Sequence, residues 1–210
     1  MSFRIVLADD HLIVRQGLRA LLEKEGLNVV AEAENGREAV RLAQMHKPDV
    51  VVLDLMMPLL NGLDAGREIL QNRFATAAIL LTMRTEEHQI SAALRAGIRG
   101  YLLKTQAAED LVHAIRDVVR GEIYLSPAVS RIVVGGYLSG DRPTGDSLAP
   151  RERQVLQLVA EGKTSKEIAV LLGLTVKTAE SYRARVMEKI EIHDTAGLVR
   201  YAIRHGIIDP

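Results

Sequence analysis

Val50, Val51, Val52 and Leu53 form an unbroken apolar run, mostly β-branched, that ends on the carboxylate of Asp54. A run of this kind suits a strand buried on both faces, as in a parallel sheet covered by helices. Pro58, Asn61 and Gly62 then punctuate a loop. In an open α/β sheet, ligands gather at the carboxyl ends of the strands. Asp54 therefore stands where chemistry would be done.

The same pattern recurs over residues 3–120. Strand candidates are Phe3–Ala8, Asn28–Ala33, Asp49–Leu53, Ala77–Thr82 and Arg99–Leu103, separated by helical patterns near 12–25, 36–46, 63–71, 87–96 and 107–120. Five strands alternating with five helices predict a doubly wound, five-stranded parallel sheet with right-handed crossovers. With 48% apolar residues the chain can bury a sizeable core.

The strand ends carry Asp9-Asp10, Asp54, Thr82 and Lys104. One such strand end is an ordinary solvated loop; four on one sheet edge crowd a crevice. Three clustered carboxylates repel, which raises the pKa of at least one of them. A hard divalent cation relieves that repulsion, and Mg²⁺ favours a few carboxylates together with water and phosphate oxygens. Lys104 adds a point charge and Thr82 a hydroxyl. The set suits a phosphoryl group on Asp54.

Other chemistries are narrowed by composition. The chain has no cysteine, which removes disulfides and thiolate metal sites. No apolar run approaches the ~18 residues of a membrane span, and no signal-peptide pattern opens the chain. A soluble, cytoplasmic protein is the expectation. Net charge is +0, with 10 Lys+Arg against 8 Asp+Glu over residues 148–210. So small a basic excess does not by itself suggest nucleic acid.

Residues 1–121 read as one domain and 122–147 as a linker with a short helix beginning at Ser126-Pro127. Residues 148–210 read as a second, all-α domain. Within the linker, 139–147 are turn formers with no apolar partner. In the second domain, Thr164-Ser165-Lys166-Glu167 has the form of a capping box. Gly173-Leu174-Thr175 is a tight turn into a third helix, and Asp194 can cap a fourth. Two short helices joined by a Gly-containing turn make a helix-turn-helix pattern. On the third helix Ala179, Tyr182, Val186 and Ile190 form a core stripe. Lys177, Thr178, Glu180, Ser181, Ala184, Arg185 and Lys189 lie on or beside the opposite face.

These residues resemble two known modules. Asp9-Asp10, Asp54 with Met57-Pro58 and Asn61-Gly62, Thr82, and Gly100-Tyr101-Leu102-Leu103-Lys104 resemble the flavodoxin-like receiver domain of two-component response regulators. Pro150-Arg151-Glu152, the segment from Ala160 to Ala169, and Val176-Lys177-Thr178 resemble the LuxR-type helix-turn-helix. The pairing is similar to the NarL/FixJ class of transcriptional regulators. The resemblance implies that Asp54 accepts a phosphoryl group from a histidine kinase, assisted by Thr82 and Lys104. Asp10 would ligate Mg²⁺ directly and Asp9 through water, with Asp54 and the Met56 carbonyl as further ligands. Thr82 and Tyr101 would be the switch pair. The third helix would enter the major groove of double-stranded DNA, placing the seven residues above as candidate contacts.

Phosphorylation would favour a homodimer that acts on the transcription machinery, with no membrane partner. Departures from the families stand out in both modules: Met83 follows Thr82 where a small residue is common, and Thr105 follows Lys104 where proline is frequent. Ala149 replaces a capping Thr, a loss of ~1 kcal/mol, and Ala179 and Tyr182 replace the usual Val and His. Two alternatives stay open. One is a phosphorylation-independent regulator whose receiver is structural. The other is an aspartyl-nucleophile phosphatase, which usually carries Asp-x-Asp after its first strand, where this chain has Asp9-Asp10-His11.

Overall fold

A computed structural model describes residues 2–72, 76–83, 86–139 and 148–209. The chain divides into two units, a sheet unit and a C-terminal helical unit. In the first, the order is β1 (Arg4–Ala8), α1 (Leu12–Lys24), β2 (Asn28–Ala33), α2 (Gly36–His46), β3 (Val50–Asp54) and α3 (Gly62–Gln71). It continues with β4 (Ala77–Thr82), α4 (Glu87–Arg95), β5 (Gly100–Leu103), a 3-10 turn at Lys104–Gln106, α5 (Ala107–Val119), β6 (Tyr124–Leu125) and α6 (Pro127–Ser139).

The strand order is β2-β1-β3-β4-β5-β6, all pairs parallel. Ile5, Leu7, Val50, Val52, Ile79, Leu81 and Leu102 pack with Leu18 and Leu22 of α1 and Leu111, Ile115 and Val118 of α5. The alternate positions Val6, Val51, Leu53, Ala78 and Leu80 are equally buried, so the central strands are sealed on both faces. Each such Val, Leu or Ile side chain contributes ~1.5–3 kcal/mol by leaving water. Direction of chain progression reverses between β1 and β3, and Asp9 and Asp54 sit at that switch point, where α/β sheets open a crevice.

The sheet has six strands, not the five expected. β6 is only two residues long, Gly100 pairing with Tyr124 and Tyr101 with Leu125. Two residues are too few to display a period. α6 does begin at Pro127, which suits the first helical position because no hydrogen bond is asked of its nitrogen. It runs on through Gly135-Gly136 to Ser139 and packs on α4 and β5. Of the stretch read as a flexible linker, 140–147 lie outside the described residues.

The second unit comprises α7 (Pro150–Ala160), α8 (Ser165–Leu172), α9 (Val176–Ile190) and α10 (Thr195–Arg204) around Val155, Leu158, Ile168, Leu172, Val186 and Leu198. Its helix starts follow the local chemistry. Thr164 accepts from the Glu167 N–H (3.3 Å) while Glu167 accepts from the Thr164 N–H (2.8 Å). Thr175 caps α9 through the Thr178 N–H and Asp194 caps α10 through the Gly197 N–H. α8 ends at Gly173 in the left-handed region, φ 62°, where glycine escapes the Cβ penalty.

Candidate functional site

Four polar ends of adjacent strands meet at the crevice. Asp9 follows β1 and is fully buried; Asp54 ends β3 and is 3% exposed. The Lys104 ammonium, at the end of β5, bridges them: Nζ lies 2.7 Å from Asp9 Oδ2 and 3.0 Å from Asp54 Oδ1. Asp10 reaches the same space from the turn after β1, with the His11 ring 2.8 Å from its carboxylate. Ligand atoms of Asp9, Asp10, His11 and Asp54 all fall within 4.8 Å of one another.

The loop after β3 is held by a close approach. The Gly62 N–H donates to the Leu55 carbonyl at 2.9 Å, and a Cβ on Gly62 would lie 2.1 Å from the Asp54 carbonyl oxygen. Only glycine fits there. Asn61 supplies the cap of α3, accepting from the Asp64 N–H at 2.9 Å. The Asn61-Gly62 pair thus fixes the backbone on which Asp54 stands.

Burial pushes the Asp54 carboxyl up to about 7; Lys104 opposes the rise, while Asp9 and Asp10 add to it. For Lys104, burial works against the charged form, but Asp54 and Asp9 outweigh it and the pKa is raised. The crevice therefore concentrates negative charge around one ammonium. All-oxygen donors from three carboxylates fit a hard divalent cation better than a soft one.

Thr82 ends β4, one residue past Leu81, which is paired with Asp54. It lies beside the Tyr101 phenol, whose pKa is pushed up by burial and by Glu86 with Thr82 working the other way. Tyr101 is fully buried on β5, and its carbonyl accepts from the Ser126 N–H at 3.1 Å, just before α6. Met56 follows Asp54 in the loop and is half-buried. Met83 is 65% exposed, so its side chain turns to solvent.

On α9, Lys177, Glu180, Ser181, Ala184, Arg185 and Lys189 are exposed and Thr178 is half-buried. Several are already engaged. The Thr178 hydroxyl is 2.8 Å from that of Thr175, and Ser181 donates to the Lys177 carbonyl at 2.9 Å. The Arg185 guanidinium sits 5.7 Å from the Tyr182 ring centre. Lys189 donates to Glu152 at 2.6 Å and so braces α9 on α7. The Pro150-Arg151-Glu152 motif proves to be scaffolding. Arg151 donates to the Leu172 carbonyl at the end of α8, and Glu152 accepts from the Ala149 N–H at 2.8 Å. That carboxylate supplies half of a capping box where Ala149 has no group of its own.

Comparison with known proteins covers both units. The "response regulator receiver domain" family model matches residues 5–116, and that of the "bacterial regulatory proteins, luxR family" matches 146–202. The response regulator UvrY of Escherichia coli K12 is 35% identical over 206 residues, 97% of this chain and 94% of UvrY. The transcriptional regulatory protein MctR of Rhizobium johnstonii is 36% identical over 209 residues, 99% and 96% of the two chains. Among solved structures, an RcsB–DNA complex and one of two RcsB dimers on two parallel DNAs each superpose with a TM-score of 0.59. Each is 30% identical and covers 96% of this chain and 98% of RcsB.

Proposed function

Since the chain belongs to the NarL/FixJ class of two-component response regulators, a receiver joined to a LuxR-type DNA-binding domain, we propose that Asp54 is its phosphoryl acceptor and that phosphorylation promotes dimers on DNA. The observation that carries this reading is the buried Asp54 carboxylate, 3.0 Å from the Lys104 ammonium beside two further carboxylates.

In this reading an Asp54 oxygen forms the new P–O bond as the P–N bond to a kinase's phosphohistidine breaks. The departing imidazole, protonated on its other nitrogen, leaves neutral. Lys104 stays beside the acceptor oxygen and meets the charge of the incoming group. Thr82 offers a hydroxyl to a phosphoryl oxygen. Asp9, Asp10, Asp54 and the Met56 carbonyl would hold Mg²⁺, which supplies charge neutralisation to the phosphoryl oxygens.

The switch is shared among several contacts. Moving a population from 1:99 to 99:1 takes ~5.5 kcal/mol, and one charge-assisted hydrogen bond from Thr82 gives only ~1.5–3 kcal/mol. Lys104, loop ordering and the packing of Tyr101 would provide the remainder. Thr82→Ala is therefore expected to weaken phosphorylation-dependent dimerisation without abolishing it. Sedimentation at matched phosphorylation checks this; either no change or complete loss contradicts it.

On the DNA side, the exposed Lys177, Glu180, Ser181, Ala184 and Arg185 are the proposed contacts on α9, with Thr178 at its start. Lys189 contributes chiefly through its hold on Glu152. One copy with so little basic excess binds weakly, and two linked copies gain through effective concentration. Footprinting genomic DNA with wild type and Asp54→Ala, with and without acetyl phosphate and Mg²⁺, tests the whole reading. Tighter, paired half-site protection is expected only for treated wild type. Equal protection by both would favour a receiver that serves dimerisation without phosphorylation.

A further inference from the structure

We propose that Arg15 is a positioning residue for the acidic crevice, holding the Asp9-Asp10 turn in the geometry a divalent cation needs; this rests on the reading of Asp9, Asp10 and Asp54 as a cation site. Arg15 lies on the buried face of α1, at helical spacing from Leu18 and Leu22, and its side chain is 6% exposed. Its guanidinium serves three separate acceptors. Nη1 donates to the Asp9 carbonyl oxygen at 2.6 Å, Nε to Glu32 at 3.2 Å and Nη2 to Glu34 at 3.0 Å. Glu32 is in β2 and Glu34 lies just beyond it, so the side chain ties the turn after β1 to the end of the neighbouring strand.

The other groups of Asp9 are tied as well. Its N–H donates to the Ala33 carbonyl at 3.2 Å. One carboxylate oxygen accepts from the His11 N–H at 2.9 Å and the other lies 2.7 Å from Lys104. Arg15 holds the one remaining main-chain group, the carbonyl of the peptide that leads directly into Asp10. Freed from it, that peptide plane can turn and carry the Asp10 carboxylate out of the cluster. Partners that orient metal-ligating groups typically matter by ~10–100-fold in affinity.

Charge alone makes the opposite prediction. A guanidinium close to a cation site repels the cation, so its removal should tighten binding if only charge mattered. Positioning requires weakening. Lysine cannot replace the fork, because a single ammonium does not span three acceptors in different directions.

Calorimetric titration of the unphosphorylated full chain with MgCl₂ decides between them. Arg15→Met is expected to raise the Mg²⁺ dissociation constant by about 10-fold or more, and Arg15→Lys by less. Phosphorylation by acetyl phosphate should recover to within about threefold of wild type at saturating Mg²⁺. Unchanged or tighter binding in Arg15→Lys, which keeps the charge, would overturn the proposal even were Arg15→Met unable to fold. A rate that stays low at saturating Mg²⁺ would also overturn it. Wild type that binds no Mg²⁺ would remove the cation-site reading itself, and the positioning role with it.

Discussion

Asp54→Asn is expected to abolish phosphoryl incorporation, a loss of roughly a thousandfold or more, because the amide is not a nucleophile. Intact-protein mass after treatment with acetyl phosphate and Mg²⁺ reads this directly. Continued incorporation would place the acceptor elsewhere. The same variant should reveal what the carboxylate costs the fold. With its pKa pushed up to about 7 by burial, native Asp54 holds a proton at pH values where the unfolded chain has already released it. The stability gained from the proton is complete below the unfolded value near ~4 and is lost as pH rises through 7.

Metal-free wild type should therefore lose about 2–4 kcal/mol between pH 4 and pH 8 on this account, a slope that Asp54→Asn lacks. Melts of both proteins across that range in chelator measure it. Parallel stability curves would contradict the assignment. A bound cation reverses the balance by favouring the ionised form, so Mg²⁺ should stabilise wild type more at pH 8 than at pH 6.

Gly62→Ala should be the most damaging small substitution in the receiver. Its Cβ would meet the Asp54 carbonyl oxygen at 2.1 Å and the Asp54 carbonyl carbon at 2.9 Å. Neither is the movable end of a side chain. Either the loop after β3 shifts, breaking the Gly62 N–H bond to Leu55, or Asp54 is displaced. We expect a loss of about 2–4 kcal/mol, at the upper end of overpacking costs. The variant should also phosphorylate slowly even at temperatures where it stays folded. Thermal unfolding with the acetyl phosphate assay tests both, and a variant that matches wild type in each would show that the loop yields freely.

The crevice was legible because parallel strands announce themselves as apolar runs and their polar ends fall on one edge. Asp9, Asp54 and Lys104 could be placed together without any coordinate. Arg15 could not: its spacing from Leu18 and Leu22 puts it on the buried face of α1, but its partners Glu32 and Glu34 are far off in sequence. The pairing of Lys189 with Glu152 was hidden for the same reason: it depends on how α9 crosses α7. The helix caps of the second unit, by contrast, rest on contacts three residues apart, and Thr164, Thr175 and Asp194 all occupy the positions their spacing indicates. Local chemistry is readable; contacts made by tertiary packing are not.

The shortest element, β6, has its own consequence. Without Tyr124-Leu125, β5 would end the sheet and present a row of unpaired main-chain groups, the template on which exposed strands recruit one another into aggregates. A fragment cut at Gly121 would uncover that template next to Tyr101. One continued through α6 keeps Gly100 and Tyr101 paired. Where a receiver fragment is trimmed thus decides how much of the β5 edge it leaves open.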